Sequence, residues 1–249
     1  MIGNDLFITV VVMFLLVILA VALLLITLIF VAINSGKQKK FVISPVQIVV
    51  SLVSLIILYL WLPFGFLSLS QNKEGVEAEK LYKLAVKTAL IPSVKSEMLQ
   101  FLGSYYAAVY NGKEAVKAFE QSFKINENKV AVAQLCNLYT IKGDYEEAIG
   151  MCKKLNLQQI IAVNYILQND YKNAYEVINK KIQNGENITH WDYATRAYIN
   201  RKINKKDLFE KDYQKALESC PNNALLKKLY ENENYYDDLY LQYKKQYSF

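Results

Sequence analysis

The sequence predicts an all-α protein in which a two-helix transmembrane hairpin is followed by a solenoid of helical repeats. Two long apolar stretches, residues 6–33 and 46–69, predict the hairpin. Past Gln71 the chain becomes charged and rich in tyrosine, and its apolar residues recur at helical spacing. This change predicts a membrane anchor over residues 1–71 and a helical repeat domain over residues 72–249.

Each apolar stretch is long enough to cross a bilayer. A helix needs roughly 20 apolar residues to cross ~30 Å of hydrocarbon, and both stretches are longer than that and free of charge. A cleaved signal peptide is the alternative for the first stretch. It requires a basic leader and a short apolar core, whereas the first five residues contain neither Lys nor Arg. The sequence therefore favours two retained spans, at about 6–33 and 46–69.

The placement of lysines predicts the orientation of the hairpin. The connecting segment 34–40 contains three lysines in seven residues, and short lysine-rich loops tend to stay in the cytoplasm. Four lysines between residues 73 and 87 follow the second span, but glutamates lie among them, which indicates a solvated helix face. We therefore expect a multi-pass protein of the plasma membrane with a cytoplasmic 34–40 loop and an extracytoplasmic solenoid; a cytoplasmic solenoid is the alternative.

Two kinds of marker residue recur in register along the repeat domain. Four tyrosines are separated by 33, 26 and 33 residues, and three alanines are separated by 33 and 26 residues. The tyrosines are Tyr106, Tyr139, Tyr165 and Tyr198; the alanines are Ala115, Ala148 and Ala174. Two independent markers that keep step indicate repeated helix pairs. The 26-residue step predicts a shortened pair around residues 151–157.

The marker segments resemble the tetratricopeptide repeat (TPR) family, whose pattern is W-x2-L-G-x2-Y, then A-x3-F and a closing Pro. The matching segments are Leu102-Gly103-x2-Tyr106 with Ala115-x3-Phe119, Leu135-Cys136-x2-Tyr139 with Ala148, Ile161-Ala162-x2-Tyr165 with Ala174-x3-Ile178, and Trp191-x2-Ala194-Thr195-x2-Tyr198 with Tyr213-x2-Ala216 and Pro221. The resemblance covers roughly residues 77–223. It implies stacked helix pairs, since one pair alone cannot bury its apolar face; residues 224–249 then form capping helices.

The resemblance also implies a partner-binding groove lined by the first helix of each pair. The candidate groove residues are Gln100, Ser104, Asn137, Ile141, Gln159, Val163, Ile166, Asp192, Arg196 and Ile199. Amides hydrogen-bond an extended peptide backbone, and aliphatic residues seat its side chains. Packing against the next repeat is the alternative for the three isoleucines. Family members that clamp acidic chaperone tails use a ladder of Lys, Arg and Asn; only Asn137 and Arg196 fit that ladder here.

A basic patch and a tyrosine stripe are further candidate contact surfaces. The patch comprises Arg201, Lys202, Lys205 and Lys206. It could bind anionic headgroups or an acidic partner at roughly 1 kcal/mol per cation, and a solvated turn is the alternative. The stripe comprises Tyr236, Tyr240, Tyr243 and Tyr247 on one helix face. We expect it to cap the last repeat; a docking site for a partner helix is the alternative.

The sequence contains no motif for a phosphate-binding loop, a dinucleotide site, a nucleophile elbow or a zinc protease. The single histidine, His190, lies beside Trp191 at a predicted helix start, where a structural role is favoured. The three cysteines lack zinc-site spacing. Cys136 and Cys152 occupy packing positions of one repeat; a disulfide requires an oxidising compartment, and two small buried side chains are the favoured interpretation. We expect no enzyme activity, cofactor or metal.

The charge pattern and the domain layout together predict the class of function. The 29 basic residues are interspersed with 23 acidic ones, unlike the basic stripe of a nucleic-acid-binding protein. We expect a membrane-anchored scaffold or adaptor that holds a protein or peptide partner at the bilayer, without a small-molecule substrate. The layout is similar to that of bacterial envelope assembly proteins. An accessory or regulatory subunit of a multispanning secretion or transport complex is the alternative, since Ser51 and Ser54 could pack against other spans.

Overall fold

The computed structural model describes residues 21–22, 25–27, 29, 45–185 and 187–249. From residue 45 onward the described elements are twelve helices, so the predicted all-α class is confirmed over this part of the chain. The helices are α1 Pro45–Ser70, α2 Gly75–Thr88, α3 Pro92–Ala108, α4 Gly112–Ile125, α5 Lys129–Lys142, α6 Tyr145–Lys154, α7 Gln158–Leu167, α8 Tyr171–Asn184, α9 His190–Lys202, α10 Lys206–Ser219, α11 Ala224–Glu231 and α12 Tyr235–Gln246. They fall into two compact units, Met1–Met98 and Leu99–Phe249.

α1 is the one helix among the described residues that is long and apolar enough to cross a membrane. Its apolar part is Ile48–Ser70, and few of its side chains are buried. It matches the second predicted span. The first predicted span, residues 6–33, and the 34–40 loop lie almost entirely outside the described residues; six described residues between positions 21 and 29 are helical. The described residues therefore contain one candidate span, and they do not support a multi-pass arrangement.

α2 folds back along the end of α1. After a short connection the chain reverses, and Leu67 of α1 packs into one apolar cluster with Ala85 of α2 and with Ala89 and Met98. Phe64 and several other half-buried apolar residues surround this cluster. The last turns of α1 are thus covered by a charged, amphipathic helix of the same unit.

The second unit, called the repeat unit here, begins within α3 and contains four successive helix pairs: α3–α4, α5–α6, α7–α8 and α9–α10. Small residues allow the two helices of a pair to approach closely: a Cβ atom on Gly103 of α3 would lie 2.9 Å from the ring of Phe119 on α4. In the third pair the equivalent of Gly103 is Ala162, which is fully buried, and the second-helix marker alanines Ala115, Ala148 and Ala174 are fully buried as well. Side-chain caps start several of these helices; Asn128, for example, accepts a 2.8 Å hydrogen bond from the amide of Ala131 at the start of α5.

The turn between the two helices of each pair has the same geometry four times. One residue adopts the left-handed conformation, and the amide of the residue after it donates to a carbonyl near the end of the first helix. The left-handed residues are Tyr110, Gly143, Asn169 and Asn204. The hydrogen bonds run from Asn111 to Tyr106 (2.8 Å), Asp144 to Tyr139 (3.0 Å), Asp170 to Tyr165 (2.8 Å) and Lys205 to Asn200 (2.8 Å). The same helix-ending motif also follows α6, where Asn156 is left-handed and the amide of Leu157 donates to the carbonyl of Cys152 over 3.0 Å. Three of the four acceptors within pairs are marker tyrosines.

The predicted shortening around residues 151–157 is confirmed, but it falls on two helices of neighbouring pairs and not on one pair. α6 and α7 contain 10 residues each, whereas α5 and α8 contain 14. The 26-residue step in the markers therefore arises because α6 and α7 are each about one turn shorter than their neighbours. α6 is the second helix of its pair, and α7 is the first helix of the next pair.

Cys136 on α5 and Cys152 on α6 form a disulfide, with their Cα atoms 5.2 Å apart. Both side chains are fully buried. The favoured interpretation from sequence was right about burial and wrong about the bond. Cys220 is a free, half-buried cysteine.

Candidate functional site

Half of the predicted groove is accessible, and it lies on the early helices of the repeat unit. Ser104 on α3 and Asn137 on α5 are exposed. Gln100, Ile141 and Gln159 are half-buried. These five residues belong to the first helices of three consecutive pairs, and they carry amide, hydroxyl and aliphatic groups.

Four of the other five predicted groove residues lie in the interior. Val163, Ile166 and Ile199 are buried in the apolar core that joins α7, α8, α9 and α10, which fits the packing alternative for Ile166 and Ile199. Asp192 is fully buried as well. A side chain without exposed surface cannot contact a partner in this conformation, so the accessible surface ends near the start of α7.

Asp192 and Thr189 build the start of α9. The amide and the hydroxyl of Thr189 donate to the Asp192 carboxylate over 2.7 and 3.0 Å. Lys181 of α8 donates to the other carboxylate oxygen over 2.7 Å. A buried carboxylate needs this degree of pairing because removing it from water is costly. The role of Asp192 is therefore to cap α9 and tie it to α8.

Arg196 is the centre of a polar network between three helices. Its Nε and Nη2 atoms donate to the carboxylate of Asp212 on α10 over 2.8 and 2.6 Å, and its Nη1 atom donates to Asn179 on α8 over 2.8 Å. Asn200 also donates to Asp212, over 3.0 Å. The hydrogen bond to Asp212 raises the pKa of Arg196. The network leaves the guanidinium no free fork for a ligand.

The predicted basic patch divides into two parts with different environments. Arg201 donates to the carbonyls of Tyr230 and Asn232 over 2.7 and 2.5 Å, and Lys202 donates to the side chain of Asn234 over 2.9 Å. Burial lowers the pKa of Arg201. Lys205 and Lys206 are exposed. Arg201 and Lys202 therefore hold the C-terminal segment of their own chain.

That segment, residues 232–249, is called the strap here, and it extends along all four pairs. At its start, Tyr236 packs edge-on against Tyr198 of α9 with ring centroids 4.9 Å apart, and the hydroxyls of Tyr236 and Thr195 are hydrogen-bonded at 2.9 Å. α12 then contacts α7 and α5. A Cβ atom on Gly143, in the turn after α5, would lie 3.4 Å from the ammonium of Lys244.

The end of the strap reaches the turn of the first pair. The amide of Ser248 donates to the carbonyl of Tyr110 over 2.9 Å, and the rings of Tyr110 and Tyr247 meet edge to face at 5.3 Å. A Cβ atom on Gly112 would lie only 2.6 to 2.8 Å from the ring of Phe249. Glycine at position 112 therefore makes room for the terminal ring.

The strap corrects the expectation that the tyrosine stripe caps the last repeat. Tyr236 does pack on the last pair and is buried, but Tyr243 is exposed and Tyr247 contacts the first pair. Burial raises the pKa of Tyr236, and it raises the pKa of Tyr240 from 10.0 to about 12. The sequence signals for the strap are weak. Neither Gly112 at a helix start nor the aromatic residue Phe249 indicates by itself that the two residues are in contact in the fold.

His190 has a structural environment. Its ring lies 5.2 Å from that of Trp191, and its Nε2 atom is 3.3 Å from the side-chain amide of Asn223. Among the described residues no group of His, Cys, Asp or Glu side chains is arranged to hold a metal ion.

No model of a known protein family matches this chain, and no curated protein matches it significantly.

Proposed function

We propose that this protein is a membrane-anchored, TPR-like scaffold that binds a protein or peptide partner and holds it at the bilayer. Assembly of an envelope complex is the setting that the layout favours. The observation that carries the proposal is the fourfold recurrence of one turn geometry between paired helices. Helix pairs stacked in this way create extended surfaces that serve as binding sites in repeat proteins.

The proposed partner surface is the accessible part of the first helices of three pairs, on α3, α5 and the start of α7. Its centre is Ser104 and Asn137, both exposed. Phe101, also on α3, has 41% of its surface exposed and offers an aromatic anchor of the kind that dominates binding energy at interfaces. Polar groups that bond a peptide backbone, together with an aromatic anchor, suit an extended or helical peptide.

The proposed location of the repeat unit is the extracytoplasmic face of the plasma membrane, with two spans as the anchor. Support comes from two independent features. The 34–40 segment contains three lysines, which favours a cytoplasmic position for that loop. The Cys136–Cys152 disulfide favours an oxidising compartment for the repeat unit, since disulfides are rare in the cytosol.

Site-specific photo-cross-linking in intact cells tests the proposed surface. A photoreactive amino acid replaces Ser104 or Asn137 in separate full-length variants. The matched control position is Lys117, which is exposed on α4, the second helix of the first pair. We expect one discrete cross-linked product from positions 104 and 137 and none from position 117. Equal products from all three positions, or none from any, would contradict the proposal.

The identity of the cross-linked protein distinguishes the scaffold from the alternative function. A soluble client protein supports the scaffold. A multispanning protein as the sole product would instead make this chain an accessory subunit of a membrane complex.

A further inference from the structure

We propose that the turn between α2 and α3 inserts into the interface of the lipid bilayer, and that the hydrocarbon ends at about Leu60–Pro63 of α1 rather than at its last residue. The inference rests on the proposed membrane anchor, because it takes α1 to be a span. It adds a second membrane contact and a position for the bilayer boundary, neither of which the apolar stretch defines.

In the first unit, the turn between α2 and α3 lies beside α1 well before the C-terminal end of that helix. Ala89, Leu90 and Ile91 line a small cavity together with Leu60 and Pro63 of α1. Leu60 precedes the end of α1 by ten residues, which corresponds to ~15 Å along a helix axis. α2 therefore runs beside the whole final part of α1 and ends level with Leu60 and Pro63.

The charges of α2 exclude the final part of α1 from the hydrocarbon. Glu77, Lys80 and Lys87 are exposed, and Glu79 pairs with Lys83 over 2.7 Å at the surface of the same helix. Charged side chains inside a bilayer cost several kcal/mol each. Because α2 packs directly on Leu67 and Phe64, the hydrocarbon cannot surround α1 at that level.

The remaining part of α1 suits a bilayer. From Pro45 to Pro63, α1 is free of charge and about 19 residues long, close to the roughly 20 that cross ~30 Å of hydrocarbon. Large apolar side chains are exposed along the described part of it, from Ile48 to Leu60. Trp61 and Phe64 pack together with ring centroids 5.7 Å apart, at the level where aromatic rings favour the lipid–water interface.

The turn itself has the composition of an interfacial wedge. Leu90 is 64% exposed and Ile91 is 45% exposed, although both are apolar and lie at the end of a charged helix. Lys87 and Lys95 flank them and are exposed. Apolar side chains at the boundary with lysines beside them match an anionic bilayer surface, where each cation contributes roughly 1 kcal/mol.

Depth measurements on full-length protein in liposomes test the inference. Single cysteines replace Leu90, Val76 or Val53 in a Cys220→Ser background and carry an environment-sensitive fluorophore. Val76 is the matched control, since it is 66% exposed and lies at the opposite end of α2. The liposomes contain phosphatidylcholine and phosphatidylglycerol in equal amounts, with and without a nitroxide on the acyl chain.

We expect blue-shifted emission and nitroxide quenching at positions 90 and 53, and neither effect at position 76. Quenching at 53 with no quenching at 90 would overturn this inference and leave the membrane anchor intact. Absence of quenching at 53 would overturn the anchor and the inference together. A blue shift at 90 that depends on protein concentration and is not quenched would mean contact with a second protein, and would also overturn the inference.

A charge variant distinguishes the contribution of Lys87 and Lys95 to membrane binding from that of the apolar residues Leu90 and Ile91. With nitroxide on phosphatidylglycerol alone, quenching at position 90 should exceed that with nitroxide on phosphatidylcholine alone. Lys87→Gln/Lys95→Gln should remove this difference while leaving quenching by the mixed lipids in place. An unchanged difference would contradict the role of the two lysines.

Discussion

Two helix pairs of the repeat unit have the same layout but are secured in different ways. In the α5–α6 pair, Cys136 and Cys152 are covalently joined and lie in a small apolar cluster with Ile149 and Ile161. In the α9–α10 pair, the Arg196–Asp212 ion pair lies beside a much larger apolar core. The α5–α6 pair includes the shortened helix α6, so it has less apolar surface to bury.

The difference shows that a repeated pattern fixes the layout of a pair without fixing the source of its stability. A disulfide acts mainly by restricting the unfolded chain, which suits a pair with little apolar surface. A buried ion pair adds little net stability over an apolar pair of the same shape, but breaking it is costly. The network around Asp212 therefore holds α8, α9 and α10 in alignment, while the apolar core supplies the stability of that pair.

The largest expected effect comes from removing Asp212. Asp212→Ala leaves the guanidinium of Arg196 buried without its carboxylate, and the free energy of unfolding should fall by about 3–5 kcal/mol. Denaturant unfolding of the purified protein measures this loss. The control is Glu114→Ala, which removes an exposed pair with Lys117 and should cost no more than about 1 kcal/mol. Equal losses for the two variants would show that the network is solvated.

Reduction of the disulfide should have the next largest effect. The two cysteines are 16 residues apart, and closing a loop of roughly that size contributes about 3 kcal/mol. A reductant should therefore lower the stability of the natural chain by about that amount. It should leave the double variant Cys136→Ala/Cys152→Ala unchanged, and a similar response from this variant would contradict the assignment.

A smaller effect is expected where the strap joins the α9–α10 pair. Tyr236→Phe removes the hydrogen bond to Thr195 and should cost about 1 kcal/mol. A double-mutant cycle with Thr195→Val measures the coupling between the two hydroxyls, and Tyr243→Phe, at an exposed position, is the matched control. Zero coupling between positions 195 and 236 would show that the strap is not docked in solution.

The smallest effect on stability at neutral pH is expected from Tyr240 in the strap, which should instead affect unfolding at alkaline pH. Burial raises the pKa of Tyr240 from 10.0 to about 12. Its contribution is fully present below pH 10, because both states are then protonated, and it is lost as the pH rises toward 12, because only the unfolded state loses the proton readily. Tyrosinate absorbance should follow the loss of helix signal in this range. Tyr240→Phe should shift unfolding to higher pH, and an unshifted transition would contradict the burial of this hydroxyl.

Local features of the fold could be predicted from the sequence, whereas contacts between distant residues could not. The step of 26 residues predicts the short helices α6 and α7 because helix length sets marker spacing directly. Arg196 and Asp212 lie on different helices, and no local pattern marks them as partners. Small buried cysteines satisfy the packing pattern equally well in either redox state, so the sequence could not decide the bond.

The candidate site shows the same division. The family resemblance places Ser104 and Asn137 on an accessible helix face, and the structure exposes both. The resemblance also places Asp192 and Ile199 in the groove, where the structure buries them, because the amount of cover over a helix depends on its neighbours. The strap depends on a contact between Gly112 and Phe249, which are close in space but far apart in the sequence.

The most direct test of the account is the redox state of the cysteines in intact cells, because an extracytoplasmic repeat unit requires an oxidising compartment. Cells are quenched in acid, the protein is denatured so that buried thiols become accessible, and free thiols are alkylated and counted by intact mass. We expect one alkylated cysteine, Cys220, without reduction and three alkylated cysteines after reduction. Three alkylated cysteines without reduction would place the repeat unit in a reducing compartment and contradict the proposed orientation.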